Sequence, residues 1–175
     1  GVASGGQAGL ATEARAFAKL VASPTSKALI HFFFASRSAS KLPPGMGGVS
    51  APAPRRLAVI GGGLMGAGIA TALLESGASV VVKEINEGAA AAARTRVTKN
   101  LGARGAAALS RFSVTTTYDA STFGALDMVI EAALENAKLK QAIFTELERV
   151  TSPTCVLATN TSTLNLDIIG AAVPA

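Results

Sequence analysis

Residues 57–68 of the chain read Leu-Ala-Val-Ile-Gly-Gly-Gly-Leu-Met-Gly-Ala-Gly, and this stretch decides the fold. An apolar run ends at Gly61, which allows a tight turn out of a strand. Gly63 lets the backbone approach a pyrophosphate, and Gly66 lets the following helix pack close to the strand. The phosphate charge would then lie over the free N–H groups at the amino end of that helix. The G-x-G-x-x-G spacing therefore predicts a strand–turn–helix unit that binds a dinucleotide.

A carboxylate follows the next apolar run. The apolar run Ser79–Val82 belongs to the second predicted strand, and Glu84 follows that strand, at about the 20-residue distance that dinucleotide-binding folds use. Its carboxylate can accept both hydroxyl groups of an adenosine ribose and would repel the 2′-phosphate of NADP. The pattern thus predicts NAD as the cofactor. The alternative is a surface glutamate beside Lys83 and Asn86.

The chain from Arg56 onward alternates strands with helices. Strands are predicted at 57–60, 79–83, 112–117, 127–132 and 154–158, and helices at 64–76, 87–109, 136–150 and 165–170. Strands of near-continuous Val, Ile and Leu indicate a sheet that is covered on both faces, and the alternation indicates parallel strands. We therefore predict an α/β fold with a Rossmann-type, doubly wound parallel sheet. Gly102 and Gly105 predict a break or bend in the alanine-rich helix.

Two further helices are predicted upstream of this α/β part. Residues 11–22 and 25–38 carry apolar residues at helical spacing, which predicts a helical hairpin whose apolar face needs a partner. Residues 1–9 are predicted to be a loop. Residues 40–55 are rich in proline and glycine and lack periodicity, which predicts a linker. The predicted domain boundaries are therefore 1–39, 40–55 and 56–175.

Charge and composition argue against several classes of function. The formal net charge of +5 lies in residues 1–55, whereas residues 56–175 carry ten basic and ten acidic side chains. Because no basic–aromatic array is present, a nucleic-acid partner is not supported. The apolar stretch 28–35 is far shorter than the roughly 20 residues of a membrane span. Cys155 is the single cysteine, which fits a reducing compartment, and no His, Cys or acidic cluster has metal-ligand spacing.

A second group of polar residues follows the fourth predicted strand. Residues 127–140 read Asp-Met-Val-Ile-Glu-Ala-Ala-Leu-Glu-Asn-Ala-Lys-Leu-Lys. The small residues Ala132 and Ala133 would let a cofactor lie close to the backbone. Glu135 and Lys140 then fall at the start of the next helix, near the carboxyl edge of the sheet, where ligands bind in open α/β folds. The alternative is that Glu135 caps the helix and Lys140 is solvated.

A third group follows the last predicted strand, where residues 158–163 read Ala-Thr-Asn-Thr-Ser-Thr. Five consecutive hydroxyl or amide side chains can hydrogen-bond a nicotinamide ribose or a substrate oxygen, or they can cap the next helix. His31, the only histidine, lies beside three phenylalanines in the upstream helix. We interpret it as a core or interface residue rather than an acid–base catalyst.

Taken in order, these motifs resemble the NAD-binding domain of the L-3-hydroxyacyl-CoA dehydrogenases. The resemblance rests on Gly-Gly-Gly-Leu-Met-Gly-Ala-Gly-Ile-Ala from Gly61, Val-Lys-Glu ending at Glu84, Val-Ile-Glu-Ala-Ala-Leu-Glu-Asn from Val129, and Thr-Asn-Thr-Ser-Thr from Thr159. Upstream, Glu-Ala-Arg-Ala-Phe from Glu13 and His-Phe-Phe-Phe-Ala-Ser-Arg from His31 are similar to the C-terminal helices of the enoyl-CoA hydratase (crotonase) part of multifunctional fatty-acid β-oxidation proteins. The likeness is to the peroxisomal or glyoxysomal form of plants and algae.

The resemblance implies a cofactor site and a reaction. It assigns cofactor contacts to Gly61, Gly63, Leu64, Met65, Gly66, Glu84, Ala133, Leu134, Glu135, Lys140 and Ser162. Ser162 also matches a serine that touches the 3-oxygen of the substrate. The implied reaction is hydride transfer from C3 of an L-3-hydroxyacyl-CoA to NAD, which gives the 3-ketoacyl-CoA. The implied partners are an acyl-CoA and the rest of a multifunctional chain, in a peroxisome or glyoxysome, or in the cytoplasm of a bacterium.

The chain departs from the family pattern in its catalytic residues. The general base of the family is a histidine in a His-Phe-Phe-Ser-Pro-like motif that this sequence does not contain. We therefore expect a fragment that binds NAD and is inactive alone. Two other functions remain open: another NAD- or FAD-dependent oxidoreductase with the same glycine loop, and a non-catalytic NAD-binding or interaction module.

Overall fold

The structure is a computed structural model that describes residues 6–42, 45, 52–171 and 173. The chain divides into two compact units, Gly1–Ala51 and Pro52–Ala175. Residues 43, 44 and 46–51 of the predicted linker, 40–55, lie outside the described residues. No helix within the described ranges is long and apolar enough to cross a membrane.

The first unit contains two helices, α1 (Gly6–Val21) and α2 (Pro24–Ala39). α1 begins inside the stretch predicted as a loop, because Gln7, Ala8 and Leu10 are good helix formers and extend the helix by a turn. Ser23 caps α2 by accepting a hydrogen bond from the N–H of Ser26 at 3.1 Å. The two predicted upstream helices are thus confirmed, with an earlier start for α1.

The large apolar side chains of α1 and α2 are exposed within the described chain. They are Leu10, Phe17, Leu20, Val21, Leu29, Ile30, Phe32, Phe33 and Phe34. The rings of Phe33 and Phe34 meet edge to face with centroids 5.3 Å apart, and the guanidinium of Arg37 lies 4.7 Å from the centroid of Phe33. His31 is exposed on the same helix, so it is not a core residue of this unit.

The second unit is built on five parallel strands. They are β1 (Arg56–Ile60), β2 (Ser79–Lys83), β3 (Phe112–Thr115), β4 (Met128–Glu131) and β5 (Val156–Thr159). The strand order is β3-β2-β1-β4-β5, and each neighbouring pair is parallel. The chain starts in the centre, winds out to β3, and returns to β4 on the other side of β1. This order confirms the predicted doubly wound, Rossmann-type sheet.

Helices cover both faces of this sheet. They are α3 (Leu64–Glu75), α4 (Glu87–Leu101), α5 (Ala120–Phe123), α6 (Ala137–Val150) and α7 (Leu166–Gly170). α3 and α4 pack on one face, and α5, α6 and α7 pack on the other. Each face therefore has its own hydrophobic core, as expected when parallel strands are joined by crossover helices.

Strand β1 divides its side chains between the two cores. Leu57 and Val59 pack with α3 and α4, whereas Ala58 and Ile60 pack with the opposite face. All four side chains are at most 3% exposed. Burial on both faces explains why β1 lacks an alternating polar pattern, and each large aliphatic side chain contributes about 1.5–3 kcal/mol.

The connections differ from the prediction in two places. α4 ends at Leu101, well before the predicted end at 109, because Gly102 adopts a φ of +60° and a 3₁₀ helix follows over Ala103–Arg111. The predicted break is thus confirmed at Gly102. α5 was not predicted, since a single turn gives no periodic signal; Asp119 caps it by accepting the N–H of Thr122 at 2.8 Å.

Candidate cofactor-binding site

The predicted site residues gather at the carboxyl edge of the sheet. β1 lies between β2 and β4, so the chain changes direction across this edge, which is the topological switch point of a doubly wound fold. A cleft of about 510 Å³ opens there. Its lining consists of Ile60, Gly61, Gly63, Leu64, Met65, Lys83, Glu84, Ile85, Tyr118, Ala132, Ala133, Leu134, Leu139 and Ile143. The cleft is therefore largely apolar, with a carboxylate at one end.

The glycine loop has the shape that a pyrophosphate requires. A Cβ on Gly61 would lie 2.9 Å from the carbonyl oxygen of Ala132, and a Cβ on Gly66 would lie 1.8 Å from the carbonyl oxygen of Gly61. The loop is thus wedged between β4 and α3. A Cβ on Gly63 would meet nothing within 4 Å, and Gly63 is the N-cap of α3 with no side-chain cap. Free helix N–H groups beside open space fit an anionic ligand.

Glu84 braces the glycine loop from the end of β2. Its Oε1 accepts the N–H of Gly62 at 2.6 Å, and its Oε2 accepts the N–H of Ile85 at 3.1 Å. Arg96 of α4 donates to the carbonyl oxygen of Gly62 at 3.2 Å, so side chains hold both backbone polar groups of Gly62. A carboxylate has about four lone-pair sites, so Glu84 retains acceptors for ribose hydroxyl groups.

A buried ion pair lies beside the cleft at the end of β4. Glu131 and Lys140 are 0% and 1% exposed. The Nζ of Lys140 donates to Oε1 and Oε2 of Glu131 at 2.8 and 2.7 Å. Oε1 also accepts the N–H of Ala133 at 2.6 Å, and Oε2 accepts the hydroxyl of Thr159 at 2.5 Å. The pair therefore joins β4, α6 and β5, and the alternative of a solvated Lys140 is wrong.

Glu135 extends this network to the loop after β5. Its Oε2 lies 3.4 Å from the Nζ of Lys140, and its Oε1 accepts hydrogen bonds from the hydroxyl groups of Thr161 and of Thr163, the latter at 3.0 Å. The Thr161 hydrogen bond lowers the pKa of Glu135 below its ordinary value, and Thr163 and Lys140 act in the same direction. Glu135 does not cap α6, because Asn136 does so by accepting the N–H of Leu139.

The predicted serine lies between these two threonines. Ser162 is exposed, and its neighbours on both sides are held by Glu135. The alternative that this polar run caps the next helix is wrong, since Asn165 caps α7 by accepting the N–H of Asp167 at 2.8 Å. Gly66, Glu135, Lys140 and Ser162 are the predicted site residues outside the cleft lining.

The residues of this edge that were not predicted as site residues include Glu131, Lys83 and Tyr118. Glu131 forms the buried pair, and Lys83 and Tyr118 line the cleft. Burial raises the pKa of Tyr118 to about 12, and burial lowers the pKa of Lys83. The signal for Glu131 was a charged residue at the end of an apolar strand. Cys155 lies outside this cleft, and burial raises the pKa of its thiol, as suits an inert side chain.

Known proteins have sequences similar to this chain. Residues 56–175 match the family described as 3-hydroxyacyl-CoA dehydrogenase, NAD binding domain. The peroxisomal fatty acid beta-oxidation multifunctional protein of Oryza sativa subsp. japonica is 47% identical over 97% of this chain and 25% of its own length. The glyoxysomal fatty acid beta-oxidation multifunctional protein MFP-a of Cucumis sativus is 45% identical over the same shares. The chain thus spans about a quarter of the length of these relatives.

Solved structures lead to the same family. The (S)-3-hydroxybutyryl-CoA dehydrogenase of Ralstonia eutropha has a TM-score of 0.63 and 32% identity, over 69% of this chain and 45% of its own. The 3-hydroxybutyryl-CoA dehydrogenase of Escherichia coli K12 has a TM-score of 0.59 and 35% identity, over 69% and 27%. These matches favour this dehydrogenase over another NAD- or FAD-dependent oxidoreductase. Through residues 56–175, the chain belongs to the family of 3-hydroxyacyl-CoA dehydrogenase NAD-binding domains.

Proposed function

We propose that this chain is the NAD-binding part of an enzyme that oxidises L-3-hydroxyacyl-CoA to 3-ketoacyl-CoA in fatty-acid β-oxidation. One observation carries the proposal: the cleft over the β1–β4 switch point is lined by both the glycine loop and Glu84, in a chain of this family. The chemistry that NAD supplies when bound is acceptance of a hydride from C3 of the substrate. The residues of this chain bind the NAD and orient it.

Each group of residues has a distinct binding role in this proposal. The amino end of α3, with Gly63, Leu64 and Met65, binds the pyrophosphate through helix N–H groups and close backbone approach. Glu84 accepts the adenosine ribose hydroxyls and, as an anion, rejects the 2′-phosphate of NADP. Ala133 and Leu134 line the cleft beside the glycine loop.

The nicotinamide end is assigned to the network after β4 and β5. Lys140 and Glu135 are proposed to contact the cofactor, and Ser162 to orient the 3-oxygen of the substrate. The support is the hydrogen-bond chain from Glu131 through Lys140 to Glu135, which fixes the threonines on either side of Ser162. A hydroxyl presented by a braced loop loses less conformational entropy when it binds a ligand.

The parent protein is proposed to be a peroxisomal or glyoxysomal multifunctional enzyme, as the names of the related plant proteins suggest. In this proposal residues 1–39 are the C-terminal helices of an enoyl-CoA hydratase part, 40–55 are a linker, and 56–175 are the NAD-binding domain. The acyl-CoA and the remainder of the parent chain are the proposed partners.

The cofactor proposal is tested by titration calorimetry with NAD and NADH on the wild-type chain and on Gly63→Ala. The new methyl group points into open space, so we expect the variant to fold. In the proposed binding mode the methyl occupies space that the pyrophosphate needs. We expect NADH affinity to fall by about tenfold or more, which is about 1.4 kcal/mol. Gly68→Ala is the matched control, since its Cβ also meets nothing within 4 Å but lies inside α3. Wild-type affinity in Gly63→Ala would contradict the site.

The proposal also predicts that this chain alone does not turn over acetoacetyl-CoA with NADH. His31 is its only histidine, and it lies in α2 of the first unit, whereas the cleft is formed by residues of the second unit. Loss of a positioned general base typically costs about 10²–10⁴-fold in rate. The measurement is the decrease of NADH absorbance with time. Turnover by the chain alone would contradict the prediction, and loss of that turnover in His31→Ala would identify His31 as its base.

A further inference from the structure

The cleft contains a pair of residues to which the glycine pattern, the cofactor contacts implied by the resemblance and the proposed roles above assign no function. Lys83 is the last residue of β2, and Tyr118 lies in the loop that follows β3. Both line the cofactor cleft. The Nζ of Lys83 lies 4.2 Å from the centroid of the Tyr118 ring, which is a cation–π contact.

The strand order locates the part of a dinucleotide that reaches this pair. In the proposed function the pyrophosphate lies at Gly63 beyond β1, and the adenosine ribose lies at Glu84 beyond β2. The adenosine half therefore runs across the edge of the sheet from β1 towards β2. Since β2 lies between β1 and β3, the base that follows the ribose lies on the β3 side. Lys83 and Tyr118 occupy that side of the cleft.

The ammonium group of Lys83 provides hydrogen-bond donors on the β3 side of the cleft. Within the described residues its ammonium makes no salt bridge and no hydrogen bond, although it feels the charge of the neighbouring Glu84. Its close contact is with the face of the Tyr118 ring. A ring face balances charge but accepts no N–H at a lone pair, whereas the ring nitrogens of a purine are good acceptors. A half-buried cation in this setting gains from such an acceptor.

Tyr118 is itself held in place, and an apolar surface lies close by. Its ring centroid is 5.4 Å from that of Phe123, which is fully buried. Ile85, which follows Glu84, is 80% exposed and lines the same cleft. An exposed aliphatic side chain beside a ribose site suits the flat face of a base. Lys83 therefore offers a contact to the edge of a base, and Ile85 offers a contact to its flat face.

We propose that Lys83, held over the ring of Tyr118, is a specificity-determining residue that donates a hydrogen bond to a ring nitrogen of the adenine of NAD. The inference deepens the proposed function and rests on NAD binding in this cleft. Tyr118 is then a positioning residue, because it acts by holding the ammonium at the base end.

The test is calorimetric titration of the wild-type chain, Lys83→Met and Lys83→Gln with NADH and with ADP-ribose, which has the base but no nicotinamide. Lys83→Met is expected to weaken both ligands by the same factor, roughly tenfold or more, as for a lost hydrogen bond to a charged group. Lys83→Gln keeps a donor without the charge and is expected to recover part of the loss. Lys99→Met, at an exposed position in the last turn of α4, is the matched control.

A second pair of variants separates positioning from packing. Tyr118→Phe keeps the ring and is expected to bind NADH within about twofold of wild type, whereas Tyr118→Leu loses the ring and is expected to resemble Lys83→Met. Thermal unfolding of each variant reports whether it folds. Wild-type affinity in Lys83→Met would overturn the inference. Equal losses of NADH affinity in Lys83→Met and Lys83→Gln that disappear at high salt would also overturn it, because such losses come from a long-range electrostatic field that salt screens. A folded wild-type chain that binds no NADH would instead overturn the proposed function.

Discussion

Glu131 and Lys140 are charged residues in places where folded chains usually keep aliphatic side chains. Both are almost fully buried, and both oxygens of Glu131 are occupied by donors from α6, from β5 and from its own loop. A buried pair of this kind gives little net stability, because desolvation offsets the Coulomb attraction. Its value here is geometric, since one carboxylate fixes the loops after β4 and β5 together.

Removing only one partner of this pair is expected to be costly. Lys140→Met leaves the carboxylate of Glu131 buried without its cation, so we expect a loss of about 3–5 kcal/mol in the free energy of unfolding. Urea denaturation followed by circular dichroism measures it. Lys138→Met, two residues away on the exposed side of α6, is the matched control and is expected to change stability by less than about 0.5 kcal/mol.

A double variant separates the lost charge partner from lost packing. Glu131→Gln with Lys140→Met removes both charges, keeps an oxygen that accepts the N–H of Ala133, and places an NH2 group that can donate to the hydroxyl of Thr159, so most of the lost stability should return. If the double variant is as unstable as the sum of the single variants, the two side chains do not act as a pair and the geometric role fails.

The sequence identified the glycine loop and Glu84 because their chemistry is local. Gly61 adopts a positive φ of +92°, and Gly66 lies too close to the carbonyl oxygen of Gly61 for any Cβ. Both requirements concern residues of one short loop, so the spacing of the glycines is enough to predict them. The pairing of Lys83 with Tyr118 is different, since it depends on β2 lying next to β3. No short-range pattern contains that adjacency, so this part of the cleft was not predicted.

Among the elements, β1 and β4 are joined at their starts by a carboxylate. Asp127 precedes β4, and its Oδ2 accepts the N–H groups of Arg55 and Arg56 at 2.8 and 2.9 Å. These two backbone hydrogen bonds, first that of Arg55 and then that of Arg56, lower the pKa of Asp127 below its ordinary value. The register of the two central strands therefore depends on an ionised side chain.

This contact predicts a specific acid sensitivity. Because the folded pKa of Asp127 is depressed, its stabilising contribution is complete above the unfolded value of about 3.9 and is lost as pH falls through the folded pKa. Asp127→Asn should lower the melting temperature at pH 7 and flatten its fall below about pH 5. Thermal melts between about pH 7 and about pH 3, a range that includes the titration of carboxylates, measure both effects.

Glu148→Gln is the control for that experiment, since Glu148 is exposed and forms no ion pair or hydrogen bond among the described residues. It should keep the wild-type pH profile. A profile for Asp127→Asn that parallels wild type would mean that other carboxylates, such as Asp119 and Glu135, account for the acid sensitivity.

Element positions were predicted well where periodicity or continuous apolar runs extend over several residues. The five strands and the long helices α3 and α6 lie within two or three residues of their predicted bounds. The prediction failed where a single residue decides the local structure. Gly102 ends α4 early by its left-handed φ, and Asp119 starts the one-turn α5 by capping. Such single-residue signals are lost in an alanine-rich or polar stretch.

At the scale of the whole molecule, the two units differ in how they are stabilised. Each residue of both hydrophobic cores lies at or beyond Leu57, and the cofactor cleft is lined from Ile60 to Ile143. The first unit has Gly9 as its buried residue among those described, while its large apolar side chains are exposed. The fold and the site of the second unit thus follow from its own residues.

This difference predicts that a chain of residues 52–175 folds and binds the cofactor alone. We expect its NADH dissociation constant to lie within about twofold of that of the full chain, since both cores and the cleft are retained. We expect the full chain, in contrast, to bind a hydrophobic dye and to self-associate more, because α1 and α2 expose a row of phenylalanines. Calorimetry, dye fluorescence and light scattering on the two chains measure these differences.

Phe32→Ser with Phe34→Ser in the full chain is the matched control, expected to reduce dye binding without changing NADH affinity. A shortened chain that unfolds, or that loses NADH while folded, would show that the first unit supports the second.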